Sequence, residues 1–355
     1  MRVLLTGADG YIGAVMGPYL MAAGHIVQGV DIGYYRGGWL YHDVRDRPAV
    51  VTKDIRDLTL DDVRGFDAVI HLAELSNDPL GAHNRDNTYD INLRGTLHLA
   101  YLARKAGVRR FVYASSCSVY GAGADSVRTE MSEVNPQTAY AECKVMAEEG
   151  LADITDETFV ITCLRNATAF GASPRMRFDI VLNNLAGLAW TQGRIAMTSD
   201  GTPWRPLVHV LDICKAFALT LEAPEDRVRG QIFNVGADEQ NYRVREIAEI
   251  VAAAFPGCTI SFAEPGPDNR SYRVSFAKIR ENLPGFACDW SAARGAAELR
   301  AVFAHVGMTR ETFEAAAFTR LNALKSLVTT GQIDGGFHMR PPATVAASGR
   351  MEAAE

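Results

Sequence analysis

The first thirteen residues constrain the fold more than any other stretch of this chain. In MRVLLTGADGYIG an apolar run from Val3 to Leu5 leads into Gly7, Gly10 and Gly13. That order predicts a buried strand, a turn and a helix, and each glycine has its own reason. Gly7 permits a tight turn, Gly10 lets the backbone approach a bound diphosphate, and Gly13 lets the helix lie against the strand. The diphosphate then rests on the helix N-terminus, where unpaired N–H groups converge. A second apolar run, HIVQGVD, ends in Asp31, at about the 20-residue spacing of an acid that takes ribose hydroxyls. A carboxylate there accepts from both hydroxyls of an adenosine ribose and repels a 2′-phosphate, so the expected cofactor is NAD rather than NADP.

Farther along, VLLTG, HIVQGVD, AVIHLA, RRFVYASS and FVITCLR alternate with helical stretches such as TLHLAYLARKAG and TAYAECKVMAEEGLAD. Such alternation specifies an α/β fold: a doubly wound parallel sheet of Rossmann type, helices on both faces, and sites at the carboxyl ends of the strands. After Gly171 the pattern changes to a loop and helix (SPRMRFDIVLNNLAGLAW), a β-rich return (GRIAMTSDGTPWRPLVHV) and another helix (LDICKAFALTLEAP). The second half therefore interleaves with the first. Residues 1–175 and about 208–236 are expected to form the cofactor domain, and 176–207 with 237–330 a smaller α/β substrate lobe. Residues 331–355 lose apolar periodicity and read as a surface extension or disordered tail.

Charge and cysteine usage exclude several partners. A net charge of -6, with the arginines scattered, argues against nucleic acid. No apolar run reaches the ~18 residues of a membrane span, and the chain enters its first strand at once, so a cytoplasmic protein without membrane contact is expected. The six cysteines contain no Cys-x-x-Cys pair, which predicts neither disulfides nor a metal site.

Chemistry enters with TAYAECK. Tyr140 and Lys144 stand four apart, on one face of a helix, where the ammonium can lower the phenol's pKa toward working pH. Ser116, in YASSCSVYG, supplies a hydroxyl upstream. Such a tyrosine can move a proton while a nicotinamide moves hydride.

With TGADGYIG, KDIRD, HLAE, NLRGT, SSCSVYG, YAECK, LRNATAFG and RPLVHVLD in this order, the chain from Met1 to about residue 325 resembles the extended short-chain dehydrogenase/reductases, in their nucleotide-sugar epimerase and dehydratase branch. The resemblance implies that Asp54 and Ile55 lie at the adenine, and Leu72 and Ala73 along the cofactor. It adds Tyr11, Ile12 and Ser115 to the cofactor's contacts and places Asn92 behind the active site as a polar support. A nucleotide-diphosphate sugar is the implied substrate, held by Ser118, Thr168, Asn183, Asn184, Arg205 and Arg270. Guanidinium groups suit a diphosphate by charge and shape. Arg175 and Arg177, in SPRMRFD, fall close to the implied sugar pocket, and Arg177 is counted with the substrate contacts. A homodimer is implied, through the Tyr140 helix and the helix near Leu93 to Leu102.

The residues after Ser116 bear on the product. The 4,6-dehydratases of this branch carry Asp and Glu there, whereas this chain has Cys117 and Ser118. An epimerase acting through a 4-keto sugar is the simplest remainder. A dehydratase using Cys117 or Glu74 as acid or base, or a keto-sugar reductase, is the alternative, since Glu74 stands in HLAE where many relatives have alanine. In LRNATAFG, Asn166 precedes by two residues the position, here Thr168, where relatives often carry asparagine.

Overall fold

The computed structural model describes residues 1–76, 84–122, 126–264 and 271–340. Its central sheet contains β1 (Arg2–Thr6), β2 (Ile26–Asp31), β3 (Ala49–Thr52), β4 (Ala68–His71), β5 (Arg110–Ser116), β7 (Val160–Asn166) and β11 (Gln231–Val235). Shorter strands are β6 (Val127–Arg128), β8 (Thr168–Phe170), β9 (Arg194–Ala196), β10 (Trp204–His209), β12 (Asn241–Arg243), β13 (Thr259–Ser261) and β14 (Arg273–Val274). The central order is β11-β7-β5-β4-β1-β2-β3, and every pairing in it is parallel. The winding reverses at β1, between β2 and β4, and ligands of such sheets bind outside the strand ends at that point.

Side-chain alternation builds the two faces. Val3 and Leu5 enter one apolar layer and Leu4 the other, the period of two that a pleated strand imposes. β4 and β7 are buried along their whole length, as strands covered on both faces must be. β3 is different: as an edge strand it is mostly exposed and needs no continuous apolar run, so it is absent from the strands named by pattern.

The glycine turn sets the angle between β1 and helix Gly13–Ala22. Gly7 has φ +73°. A Cβ on Gly13 would stand 2.0 Å from the Gly7 carbonyl oxygen and 2.8 Å from the Ala8 Cα, so only glycine admits this contact.

The second half builds a lobe around Phe178, whose ring meets Phe303, Phe313 and Phe318 at centroid distances of 5.9, 5.0 and 5.6 Å. Helices Val181–Gln192, Val244–Ala254 and Ala292–His305 contribute to the same cluster. β10 pairs with β8, which directly follows β7, and β11 then returns to the central sheet. Residues 331–340 are docked onto the cofactor domain. Ile333 and Phe337 are buried in the layer that holds Val30 and Ile55, two apolar anchors hidden in a polar composition. Among the described residues no helix is long and apolar enough to cross a membrane.

A buried ion pair ties helix Ala139–Ala152 to the sheet. Arg165 of β7 donates to Glu148 at 2.9 and 2.6 Å, Ser115 donates to the same carboxylate, and both charged side chains are almost fully buried. Removing one partner of such a pair costs about 3–5 kcal/mol, because the other charge is left buried. Glu148→Ala is expected to lose that much in denaturant unfolding; an unchanged midpoint would contradict the assignment.

Candidate active site

A cavity of about 980 Å³ opens at the carboxyl ends of the central strands and continues into the lobe. One end is made by the glycine turn. The Gly7 N–H donates to Val30 O at 2.8 Å, which ties the turn to β2. A Cβ on Gly7 would meet Ala73 N and the Leu72 carbonyl carbon at 2.8 Å, and one on Gly10 would lie 3.0 Å from Gly7 O. The surface is thus bare backbone, and Tyr11, Ile12, Leu72 and Ala73 continue it. At the tip of β2, Asp31 accepts from Asp9 N at 3.0 Å and Gly33 N at 2.7 Å. Burial pushes its carboxyl up, and those two N–H groups pull it back toward the charged form. Beyond it Asp54 caps the turn Ile55–Asp57, accepting from Arg56 N at 2.9 Å and from its guanidinium at 2.6 Å. A bare turn at a helix start gives N–H donors for a diphosphate, and the acid at the next strand tip gives an acceptor for ribose hydroxyls, the pairing a dinucleotide needs.

Asn92 does not line the cavity. Its carboxamide accepts from Leu75 N at 2.8 Å and donates to Leu75 O at 3.0 Å, from a widened π-type turn over Tyr89–Gly95. It fixes the backbone after β4, so its part in cofactor binding is indirect. Ser115 lines the cavity, and its hydroxyl is spent on Glu148.

At the middle of the cavity, helix Ala139–Ala152 starts where Thr138 Oγ1 accepts from Ala141 N at 3.2 Å. That cap puts Tyr140 in the first turn and Lys144 one turn later. The Lys144 ammonium lies 5.4 Å from the Tyr140 ring centre and 4.6 Å from that of Tyr113. Ser116, at the end of β5, lines the same wall, its Oγ accepting from Ser118 N at 3.2 Å.

Motif reading did not anticipate the partner of Lys144. Its ammonium donates to Ala114 O and forms an ion pair with Glu74 at 2.5 Å, both side chains being 4% exposed. Glu74 also accepts from the Tyr113 hydroxyl at 2.7 Å and from Thr96 at 3.4 Å. Thr96 meets His71 at 2.8 Å, and His71 meets Thr6 at 2.7 Å. Burial and the charge of Lys144 push His71 down to about 3, so this chain of groups contains a neutral imidazole. For Lys144, burial opposes the charge, but Glu74 and Tyr140 outweigh it and hold the ammonium above its ordinary range. Glu74, expected as a free acid or base near the sugar, is the counter-ion of the lysine.

Other sugar-side expectations divide. Ser118, Thr168, Arg177, Asn184 and Arg205 line the cavity. Arg177 is held by Asp179 at 2.8 Å, and Arg205 donates to Trp204 O at 2.9 Å. Asn183 is a correction. It is fully buried, its Oδ1 accepting from Gly171 N at 3.0 Å and its Nδ2 donating to Arg177 O at 3.2 Å, so it shapes the loop and does not reach a substrate. Cys117 is another: it faces the core, 3.2 Å from Arg165 O, is absent from the cavity wall, and burial drives its thiol far above the ordinary range. Arg270 lies outside the described residues. Asn166 gains importance, because it lines the cavity and its Oδ1, like Ser118 Oγ, is buried without a hydrogen-bond partner. Two unsatisfied polar atoms thus stand beside Ser116 and call for a polar partner.

The chain is similar to known proteins. A family model described as the NAD dependent epimerase/dehydratase family matches residues 3–236. A UDP-glucose 4-epimerase of Mycolicibacterium smegmatis is 31% identical over 263 residues, covering 72% of this chain and 82% of that one. The dTDP-glucose 4,6-dehydratase DesIV of Streptomyces venezuelae, solved with NAD and TYD, is similar at a TM-score of 0.77 and 24% identity, covering 88% of this chain and 100% of the other. MoeE5, solved with UDP-glucuronic acid and NAD, is similar at 0.73 and 26%, covering 86% and 99%.

Glu74 offsets the charge that Lys144 presents to Tyr140. In Glu74→Gln the lysine acts on the phenol uncompensated, so the acid limb of kcat/KM is expected to move down by about one pH unit. Lys144 itself then loses the partner that raises it, and the alkaline limb falls as well. A uniform loss of activity with both limbs unmoved would assign Glu74 a purely structural role.

Proposed function

We propose that this chain, which belongs to the NAD dependent epimerase/dehydratase family, is a nucleotide-sugar epimerase acting through a transient 4-keto sugar. NAD is its cofactor. The observation that carries the reading is the joint placement of Tyr140, Lys144 and Ser116 on one wall of the cavity that begins at the glycine turn, with no carboxylate at positions 117 and 118. Glu74 is committed to Lys144 and Tyr113, which leaves it poorly suited to protonate a leaving hydroxyl. The 31% identity to a UDP-glucose 4-epimerase supports the same direction.

When bound, NAD supplies the reversible removal and return of hydride at the sugar carbon. The residues of this chain do the rest. Tyr140, as base, takes the proton of the sugar 4-hydroxyl, a role worth roughly 10²–10⁴ in rate. The Ser116 hydroxyl donates to the oxygen that becomes the keto group. Lys144, kept charged by Glu74, steadies the phenolate. Asn166 and Ser118 offer hydrogen bonds to the ring hydroxyls, and Arg205 offers charge to the nucleotide's diphosphate. Turning of the keto sugar in the pocket, before Tyr140 gives back its proton, presents the opposite face and inverts C4.

We also propose a homodimer formed by helices Thr96–Lys105 and Ala139–Ala152, whose outer faces carry Tyr101, 60% exposed, and Met146, 43% exposed. Sedimentation is expected to give twice the chain mass, and a monomer would refute it.

The functional test is a screen of the purified protein, without added NAD, against UDP-, dTDP-, GDP- and CDP-sugars. An isobaric product is expected, with Tyr140→Phe slower by about 10²-fold or more and still loaded with cofactor. Reduced or dehydrated products alone would overturn the epimerase reading.

A further inference from the structure

Helix Arg320–Thr329 follows the matched residues 3–236 by more than eighty positions in sequence, yet its first side chain reaches the cofactor end of the cavity. Arg320 lines that cavity together with Asp31, Tyr35 and Arg177, is 4% exposed, and its Nε has no hydrogen-bond partner. A buried, unsatisfied guanidinium N–H is costly unless something arrives to accept it.

Neighbouring contacts fix its place. The guanidinium carbon stands 3.7 Å from the centre of the Tyr35 ring. The Arg320 backbone N–H donates to Asp179 at 3.1 Å, and Asp179 accepts from Arg177, which in turn donates to Ser76 Oγ at 3.2 Å. The helix is thereby tied to the backbone just after β4. A second guanidinium, Arg175, lies nearby, fully buried, its Nε donating to Asp9 O at 2.9 Å in the glycine turn while both Nη atoms lack partners. Burial and the charge of Arg320 push Arg175 down to about 9, and burial together with the charge of Arg177 pushes Arg320 to about 10. The carboxylates around them are engaged elsewhere: Asp31 by the N–H groups of Asp9 and Gly33, Asp179 by Arg177, and Asp9 by Arg47 at 3.0 Å. Positive charge is therefore in excess beside the turn on which a diphosphate would rest.

We infer that Arg320 is a cofactor-binding residue that neutralises the diphosphate of the dinucleotide, with Arg175 adding charge from behind the glycine turn. A planar guanidinium fork matches phosphate oxygens and complements the N–H groups of the helix start. The packing of Ile333 and Phe337, and the bond from Arg56 to Gly336 O at 2.9 Å, fasten the segment behind this helix onto the same domain. The inference rests on NAD being the cofactor.

The test is calorimetric titration of the full chain, stripped of nucleotide, with NAD, ADP, adenosine and UDP. Arg320→Met keeps bulk over Tyr35 and removes the charge; Arg320→Lys keeps a charge without the fork. The Met variant is expected to bind NAD and ADP at least about tenfold more weakly, with adenosine within about twofold of the wild type. The Lys variant, at an unchanged melting temperature, is expected between the two. Unchanged NAD and ADP affinities would overturn the inference, as would an equal loss for adenosine. A loss confined to UDP would instead assign Arg320 to the substrate's diphosphate. Failure of the wild type itself to bind NAD or ADP would remove the cofactor reading before any variant is compared.

Discussion

Everything in this structure hangs on the contact between Gly13 and the Gly7 carbonyl. Helix Gly13–Ala22 leaves β1 at an angle at which no Cβ fits between the two backbones. That geometry opens the N–H groups of the helix start beside β1, which lies between β2 and β4, and Asp31 meets the same turn through Asp9 N. The open end of the cavity, with Ser116 and Tyr140 on its wall, follows from where the sheet reverses.

Around that frame the cavity wall that carries Tyr140 and Lys144 is held by buried ion pairs. Lys144 is locked between Glu74, Ala114 O and two aromatic rings, and Glu74 leads through Thr96 and His71 back to Thr6 in β1. The lysine is thus linked to the first strand through three intervening side chains. On the neighbouring turn Arg165 and Glu148 anchor the same helix to β5 and β7. A buried pair of charges contributes little net stability, but it allows one arrangement and penalises others. Fixing Tyr140 beside Ser116 is a reason to keep two such pairs.

The strands of the parallel sheet and the glycine turn were legible because their cause is local: apolar runs, turn residues and a fixed spacing. Tyr140, Lys144 and Ser116 were legible through motif and order. What escaped is non-local. Glu74 was visible as an unusual residue in HLAE, but its partner lies seventy positions away in sequence and is set by how the Tyr140 helix packs on β5 and on the Tyr89–Gly95 turn. Arg320 has no local signal, since an arginine opening a helix looks solvated until the helix is docked. Cys117 and Asn183 failed as site residues for a related reason: each neighbours residues that face the cavity, and a turn or a helix sends adjacent side chains in different directions. The short β3 lacked a pattern because an edge strand requires none.

The most direct test of the chemistry uses a nucleotide sugar deuterated at C4, turned over by protein that has received no added cofactor. Deuterium kept at C4 of an isobaric, C4-inverted product is the expected result, since the 4-keto sugar would take back what was removed. A product lighter by one water, or one whose C4 label has been replaced by solvent hydrogen, would contradict a closed epimerisation at the Tyr140 site.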